Sequence, residues 1–346
     1  MIRVLVVDDQ MVVRNILEEA LGRYKMIQVA GKASNALEAK RLIPQLKPDV
    51  ITLDVEMPGM SGVDFLDWLI PNYPIPVIML SSYTQTGAEI TLEALDKGAM
   101  DFVQKPDGSE EDFLRMLEEL VTKIKKFAGL KLLKKQTPQN RSLPQSQKLN
   151  ITKREKQGTI QLIAIGASTG GTQAIDSILR NLPNNLPPIV IVQHMPEHFT
   201  KLFANRLAST SGLLVKEAEN GDLLEEGHVY VAPGNQHLLI RRIANKLLVE
   251  LEVFDKVSGH RPSVDVMFES IANGGFATIT LGILLTGMGR DGANGLLALR
   301  EAGAKTLGQD ESTCAVYGMP KEAFYIGAVD KQVQLENMAE EILNII

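Results

Sequence analysis

Short, apolar-dominated runs that break off at a polar residue recur along this chain, and they leave few folds open. Residues 4–7 stop at Asp8-Asp9, residues 50–53 stop at Asp54, and residues 77–80 stop at Ser81. A strand buried on both faces reads this way, and parallel sheets covered by helices on both sides bury their strands so. Between the runs lie segments with mixed apolar and polar faces, at residues 11–21, 35–45, 64–70, 88–95 and 110–125, with a short Phe102-Val103 strand before the last. This βα alternation predicts a doubly wound α/β sheet whose ligands gather at the carboxyl ends of the strands. The second half repeats the pattern, with strands expected at residues 162–165, 189–192, 229–231 and 279–285 and helices at 172–179 and 199–208.

The 346 residues suffice for two or three domains with real cores. The single Cys314 cannot close an internal disulfide, which fits a reducing cytoplasm, and it reads as a packing residue. The amino terminus turns acidic at Asp8-Asp9, too soon for a signal peptide, and no apolar run reaches membrane-spanning length. A cytoplasmic protein without direct membrane insertion is expected. The net charge of −6 offers no general attraction to nucleic acid, and no helix-turn-helix with a basic recognition helix is legible, so nucleic acid is not an expected partner. Residues 123–156 are rich in Lys and Arg with almost no acid, and Thr137-Pro138 and Leu143-Pro144 would interrupt a helix continuing to Leu133. The expected division is a first domain over residues 1–125, a basic and polar linker over 126–157, and a second domain over 158–346.

Asp8, Asp9 and Asp54 stand at strand ends, where converging carboxylates repel one another and suit a hard divalent cation such as Mg²⁺. Ser81 and Lys105 end two further strands, and a hydroxyl and an ammonium group stabilise phosphoryl oxygens. Alone, each acid would read as a helix cap or a solvated loop residue. Together, the five positions suit phosphoryl transfer to a carboxylate.

Residues 163–171 read Ile-Ala-Ile-Gly-Ala-Ser-Thr-Gly-Gly, an apolar strand running into a glycine-framed serine. Gln193-His194 follows the next strand, and Thr286-Gly287-Met288-Gly289-Arg290-Asp291-Gly292 follows a later one. A serine hydroxyl attacks poorly until a base takes its proton, and neutral histidine suits that task. A carboxylate on the other ring nitrogen sets the tautomer and stabilises the imidazolium. Ser168, His194 and Asp291 are the candidates, provided that the three strand ends converge. Other readings stay open from the residues alone: Ser168 as a helix cap, Asp291 as a turn acid, and the glycine-rich loop as a phosphate cradle. That loop matches neither common nucleotide fingerprint. His198 lies four residues after His194, but Pro196 starts a helix between them and no Glu completes a zinc-protease pattern.

Val6-Val7-Asp8-Asp9, Leu53-Asp54-Val55-Glu56-Met57-Pro58-Gly59-Met60-Ser61-Gly62 and Lys105-Pro106 closely resemble a bacterial response-regulator receiver domain. By that resemblance Asp54 accepts a phosphoryl group from a histidine kinase, and Asp8, Asp9, Asp54 and the Glu56 backbone carbonyl hold Mg²⁺. Ser81, where Thr is common, and Lys105 engage the phosphoryl group. Residues 163–171, Gln193-His194-Met195-Pro196, His260-Arg261-Pro262-Ser263-Val264-Asp265 and residues 285–292 resemble the catalytic domain of CheB-type chemotaxis protein-glutamate methylesterases. That resemblance implies Ser168 as nucleophile, His194 as general base and acid, and Asp291 as its orienting carboxylate. It adds the Met288 backbone amide and Thr169 as aids to the oxyanion, and no cofactor at the hydrolase site. The implied fold is a flavodoxin-like receiver followed by a Rossmann-like serine hydrolase domain.

The implied reaction is hydrolysis of glutamate methyl esters on the cytoplasmic helices of methyl-accepting chemotaxis receptors, releasing methanol, with glutamine deamidation as a second activity. The chemotaxis histidine kinase is the implied phosphodonor, and the unphosphorylated receiver is expected to cover the Ser168 cleft. Two other outcomes fit: a second domain that only recognises receptors, against which Ser168, His194 and Asp291 count, and a serine hydrolase acting on other modified proteins. Arg261 suits either an acidic receptor surface or an internal salt bridge, with Asp265 nearby in sequence. His260 has no independent functional case.

Overall fold

The computed structural model of the protein describes residues 1–82, 84–106, 108–129, 160–244 and 246–346. The expected linker lies outside the described residues from residue 130 onward. The chain divides into two compact units, Met1–Arg141 and Ser142–Ile346.

The first unit alternates strictly: β1 (Ile2–Val7), α1 (Met11–Gly22), β2 (Ile27–Ala33), α2 (Ala36–Leu46), β3 (Val50–Asp54), α3 (Gly62–Asn72), β4 (Val77–Ser81), α4 (Gln85–Asp96), β5 (Asp101–Gln104) and α5 (Glu110–Phe127). Helix starts follow local chemistry, because Asn35, Ser61 and Ser109 accept the amides of Glu38, Asp64 and Asp112 and so cap α2, α3 and α5. In α5 the acids Glu110, Glu111 and Asp112 crowd the first turn and Lys125 and Lys126 the last, which complements the helix dipole. The sheet is parallel in the order β2-β1-β3-β4-β5. Its chain reverses direction between β1 and β3, and the connecting loops part there to leave a crevice at the strands' carboxyl ends. β3 and β4 are buried throughout, as their apolar runs require. β2 is an edge strand with Gln28 exposed and Lys32 half-buried, so no apolar run marked it in the sequence.

The second unit comprises β6 (Leu162–Ala167), α6 (Gly171–Leu179), β7 (Ile189–Gln193), α7 (Glu197–Ser211), β8 (Leu214–Glu217), β9 (His228–Val231), β10 (His237–Ile243), β11 (Lys246–Glu252), α8 (Val264–Asn273), β12 (Thr280–Leu284), α9 (Ala293–Glu301), β13 (Lys305–Gln309), α10 (Met319–Tyr325), β14 (Lys331–Val333) and α11 (Leu335–Ile345). Seven strands form a parallel sheet in the order β14-β13-β12-β6-β7-β9-β8. After β6 the chain winds first towards β8 and later towards β14, so the switch point falls between β6 and β12. Both expected doubly wound sheets are therefore present.

The antiparallel ribbon β10–β11 is an addition to that plan. Its Leu238, Ile240 and Val249 share one buried cluster with Val264, Met267, Phe268 and Ile271 of α8 and Leu296 and Leu299 of α9. Full burial of each such side chain contributes about 1.5–3 kcal/mol, which anchors the ribbon firmly against α8.

Candidate functional site

In the first unit, the switch point between β1 and β3 gathers the acids. Ligand oxygens of Asp8, Asp9 and Asp54 lie within 4.8 Å of one another. Lys105 Nζ bridges two of them, 3.0 Å from Asp8 Oδ2 and 2.9 Å from Asp54 Oδ2. Burial pushes the Asp54 carboxyl up to about 6 against the pull of Lys105, with Asp8 adding to the rise. Burial also works against the Lys105 charge, but Asp54 and Asp8 hold its pKa above the usual lysine range. Two buried carboxylates beside a third therefore share one ammonium group, and this hard-oxygen set fits Mg²⁺. Ser81 ends β4, as expected, but its hydroxyl bonds to α4 and to the Ser82 carbonyl rather than to the side chains of Asp54 or Lys105. Thr91 Oγ1 donates to Ser81 Oγ at 2.7 Å, and Ser81 Oγ faces the Gly87 carbonyl at 3.3 Å.

In the second unit, Ser168, His194 and Asp291 follow the carboxyl ends of β6, β7 and β12, three adjacent strands. Backbone bonds knit these loops together. Ser168 N–H donates to Thr286 O at 3.1 Å, and His194 N–H donates to Ala167 O at 3.1 Å. Asp291 Oδ2 lies 2.7 Å from His194 Nε2, with the two side chains only 1% and 7% exposed. The same carboxylate accepts the Ser263 hydroxyl at 2.7 Å and the amides of Val264 at 2.7 Å and Asp265 at 3.2 Å. Burial opposes its charge, yet the bonds from His194, Ser263 and Val264 hold the carboxyl down at about 2.

An ionised carboxylate only accepts, so His194 Nε2 carries the proton and Nδ1 keeps its lone pair. Nδ1 is buried and has no partner among the described residues. The half-exposed Ser168 hydroxyl likewise makes no hydrogen bond to a described residue. Gly287 lets the loop after β12 close over Ser168, since a β-carbon there would stand 2.8 Å from Ser168 Cβ and collide with Met319 Sδ. Gly287 N–H is held by Val316 O at 3.1 Å and its carbonyl by Met319 N–H at 2.9 Å, while the next amide, of Met288, finds no acceptor among the described residues. Thr169 is buried, and its carbonyl accepts Thr286 Oγ1 at 3.0 Å. Gly170 carries φ +77, a left-handed turn that brings the chain from Thr169 into α6.

Several contributors were not legible beforehand. Gln193 Nε2 donates to the carbonyls of Ser168 at 2.9 Å and His194 at 3.2 Å, so one buried amide holds both residues. Ser263 caps α8 and also binds Asp291. His260 lies flat on the His194 ring, centroids 3.7 Å apart and planes 10° apart. Asp265, beside Asp291, is pushed up to about 6 by burial. Arg261 does not form the expected internal salt bridge: its guanidinium donates to Asn235 Oδ1 and, at 2.7 Å, to Phe254 O, and no carboxylate among the described residues pairs with it. Cys314 is half-buried, and burial pushes its thiol up to about 12, which leaves it inert as a nucleophile.

Residues 163–342 match the CheB methylesterase family, and residues 4–118 match the response regulator receiver domain. A protein-glutamate methylesterase/protein-glutamine glutaminase of Caulobacter vibrioides is 49% identical, across 99% of this chain and 98% of that protein. A counterpart in Dechloromonas aromatica is 46% identical across 99% and 98%. The crystal structure of the Thermotoga maritima CheB methylesterase catalytic domain is similar at a TM-score of 0.53 and 40% identity, covering 54% of this chain and 99% of that one. No helix among the described residues is long and apolar enough to cross a membrane. The chain belongs to the CheB methylesterase family and carries a response regulator receiver domain ahead of the methylesterase domain.

Proposed function

We propose that this protein hydrolyses glutamate methyl esters on the cytoplasmic helices of chemotaxis receptors, deamidates receptor glutamines by the same route, and is switched on when Asp54 is phosphorylated by the chemotaxis histidine kinase. The observation that carries the reading is the 2.7 Å bond between His194 Nε2 and Asp291, which leaves a lone pair on the buried, unengaged Nδ1. Nδ1 takes the Ser168 proton as Oγ attacks the ester carbonyl, and Asp291 stabilises the imidazolium through Nε2. The Met288 amide, aided by Thr169, donates to the tetrahedral oxyanion. Methanol leaves with the proton returned by Nδ1, and water then releases glutamate from Ser168 by the reverse proton path. With a glutamine side chain the leaving group is ammonia, which depends more heavily on that protonation.

In the receiver, Asp8, Asp9, Asp54 and the Glu56 carbonyl would hold Mg²⁺, which neutralises phosphoryl charge when bound. Lys105 and Ser81 are the groups for the remaining phosphoryl oxygens, and Ser81 must leave Thr91 to serve there. The division into a receiver over 1–125, a tether over 126–157 and a hydrolase over 158–346 puts the switch and the chemistry in one cytoplasmic chain.

The test is methanol release from methylated receptor membranes, with Mg²⁺, with and without a small phosphodonor. Stimulated release in the wild type and unstimulated release in Asp54→Asn are expected. Stimulation that persists in Asp54→Asn would remove Asp54 as the switch.

A further inference from the structure

Asp291 is held by Ser263 and the first turn of α8, and the backbone amide of Ser263 is in turn bound by a histidine on the β10–β11 ribbon. His237 is fully buried at the start of β10, with its ring stacked on Phe254 at 4.2 Å. Its Nε2 lies 3.1 Å from the Asp255 carbonyl, and its Nδ1 lies 3.2 Å from the Ser263 amide nitrogen. A carbonyl only accepts and an amide N–H only donates. The ring must therefore be neutral, with the proton on Nε2 and the lone pair of Nδ1 aimed at Ser263. Burial lowers its pKa, in the same direction as this assignment; the Arg261 cation adds to the effect, while the Asp255 carbonyl and the Asp291 and Glu252 carboxylates oppose it.

Ser263 passes the constraint on. Its hydroxyl accepts the Val266 amide at 3.4 Å, so its single proton is committed to Asp291 Oδ1 at 2.7 Å. The neighbouring Val264 amide fixes Asp291 Oδ2, the oxygen that binds His194 Nε2. Each bond in the series has one possible direction, from the Asp255 carbonyl through His237 and Ser263 to Asp291 and His194. The apolar cluster, which includes Val264, holds α8 against the ribbon, and His237 adds a directed bond at the cap of that helix by accepting the Ser263 amide.

We propose that His237 is a positioning residue for ester hydrolysis: by accepting the Ser263 amide it fixes the orientation of Asp291, and through it the direction in which His194 Nδ1 points. This inference rests on the reading of Ser168, His194 and Asp291 given above. Its chemistry separates two conservative substitutions. In His237→Asn the amide oxygen, one bond beyond Cγ, takes the place of Nδ1 and still accepts from Ser263. In His237→Gln the polar end reaches the place of Nε2, which preserves the Asp255 contact and removes the acceptor for Ser263.

The experiment measures methanol release from methylated receptor membranes by the full chain as wild type, His237→Asn, His237→Gln and Ser168→Ala, with melting curves for each. His237→Gln is expected to lower kcat by about tenfold or more with KM unchanged, on the scale that small misplacements of reacting groups cost. His237→Asn is expected to restore most of the loss while melting no higher than His237→Gln. Equal kcat losses in the two variants, or wild-type kcat in His237→Gln, overturn the proposal. Imidazole nitrogen shifts in the wild-type protein give an answer independent of variant folding: protonated Nε2 and bare Nδ1 on His237 support it, and the opposite tautomer overturns it. Ser168→Ala separates the two levels, because full activity in that variant would sink the catalytic reading itself, whereas an inactive Ser168→Ala beside a fully active His237→Gln sinks only the role of His237.

Discussion

Asp291→Asn removes the charge of this residue while keeping its shape, and the structure decides which way the new amide faces. Oδ2 takes the Val264 amide at 2.7 Å beside His194 Nε2, and Oδ1 takes the Asp265 amide at 3.2 Å beside the Ser263 hydroxyl. A carboxamide must aim its NH₂ at one of those backbone donors. The Oδ1 side is less costly, because the contact there is longer and the Ser263 hydroxyl can turn to accept. The amide oxygen then stays on His194 Nε2, and Nδ1 keeps its lone pair. We expect kcat to fall by about 10²–10³, the scale of losing one preorganised electrostatic partner, and not by the roughly 10⁴ of a reversed tautomer. The stability effect follows from the carboxyl standing at about 2 in the folded protein against 3.8 for an unperturbed Asp. A depression of that size stabilises the fold by about 2 kcal/mol. Because the folded value is the lower one, this contribution is complete above pH 3.8 and is lost as pH falls through about 2. At pH 7 the variant's second unit should melt about 4–8 °C lower. Calorimetry of the full chain measures this, with fluorescence of Trp68, the single tryptophan, in α3, identifying the receiver transition. An unshifted second transition together with a kcat loss beyond about 10⁴ would refute the account of how Asp291 is held.

Two further predictions concern the loop over the nucleophile and the acidic cluster. Gly287→Ala places a methyl group against Ser168 Cβ and Met319 Sδ, so methanol release should drop by about tenfold or more, with the loss in kcat; unchanged kinetics would show that the loop yields freely. Mg²⁺ at a hundred times its dissociation constant should raise receiver stability by about 2.7 kcal/mol, read as a rise in the Trp68-monitored transition. That gain should vanish in Asp8→Asn with Asp54→Asn, and a gain retained there would place the cation elsewhere.

The parallel sheets and the placement of Ser168, His194 and Asp291 after three adjacent strands were legible because they depend on local signals: apolar runs buried on both faces, ending in a polar residue. The β10–β11 ribbon was not, since its turn carries Ala244 in the left-handed region at φ 55 rather than the Gly that marks a tight hairpin. β14 has only three residues, and β8 leaves Leu214 exposed, so neither produces an apolar run. The groups that hold Asp291 were hidden for another reason. Ser263 lies 28 positions from it and His237 lies 26 positions from Ser263, and no periodicity connects residues across such gaps. The internal partners of Arg261 were hidden in the same way, because Asn235 and Phe254, which it binds in place of a carboxylate, come from the ribbon's flanks.

The most direct test of the central claim is single-turnover methanol release from methylated receptor by wild-type protein and Ser168→Ala, with folding verified for both. If Ser168 Oγ is the attacking atom, the variant should be slower by at least about 10³-fold. Release within about tenfold of wild type would contradict nucleophilic attack by Ser168 and the chemistry built on it.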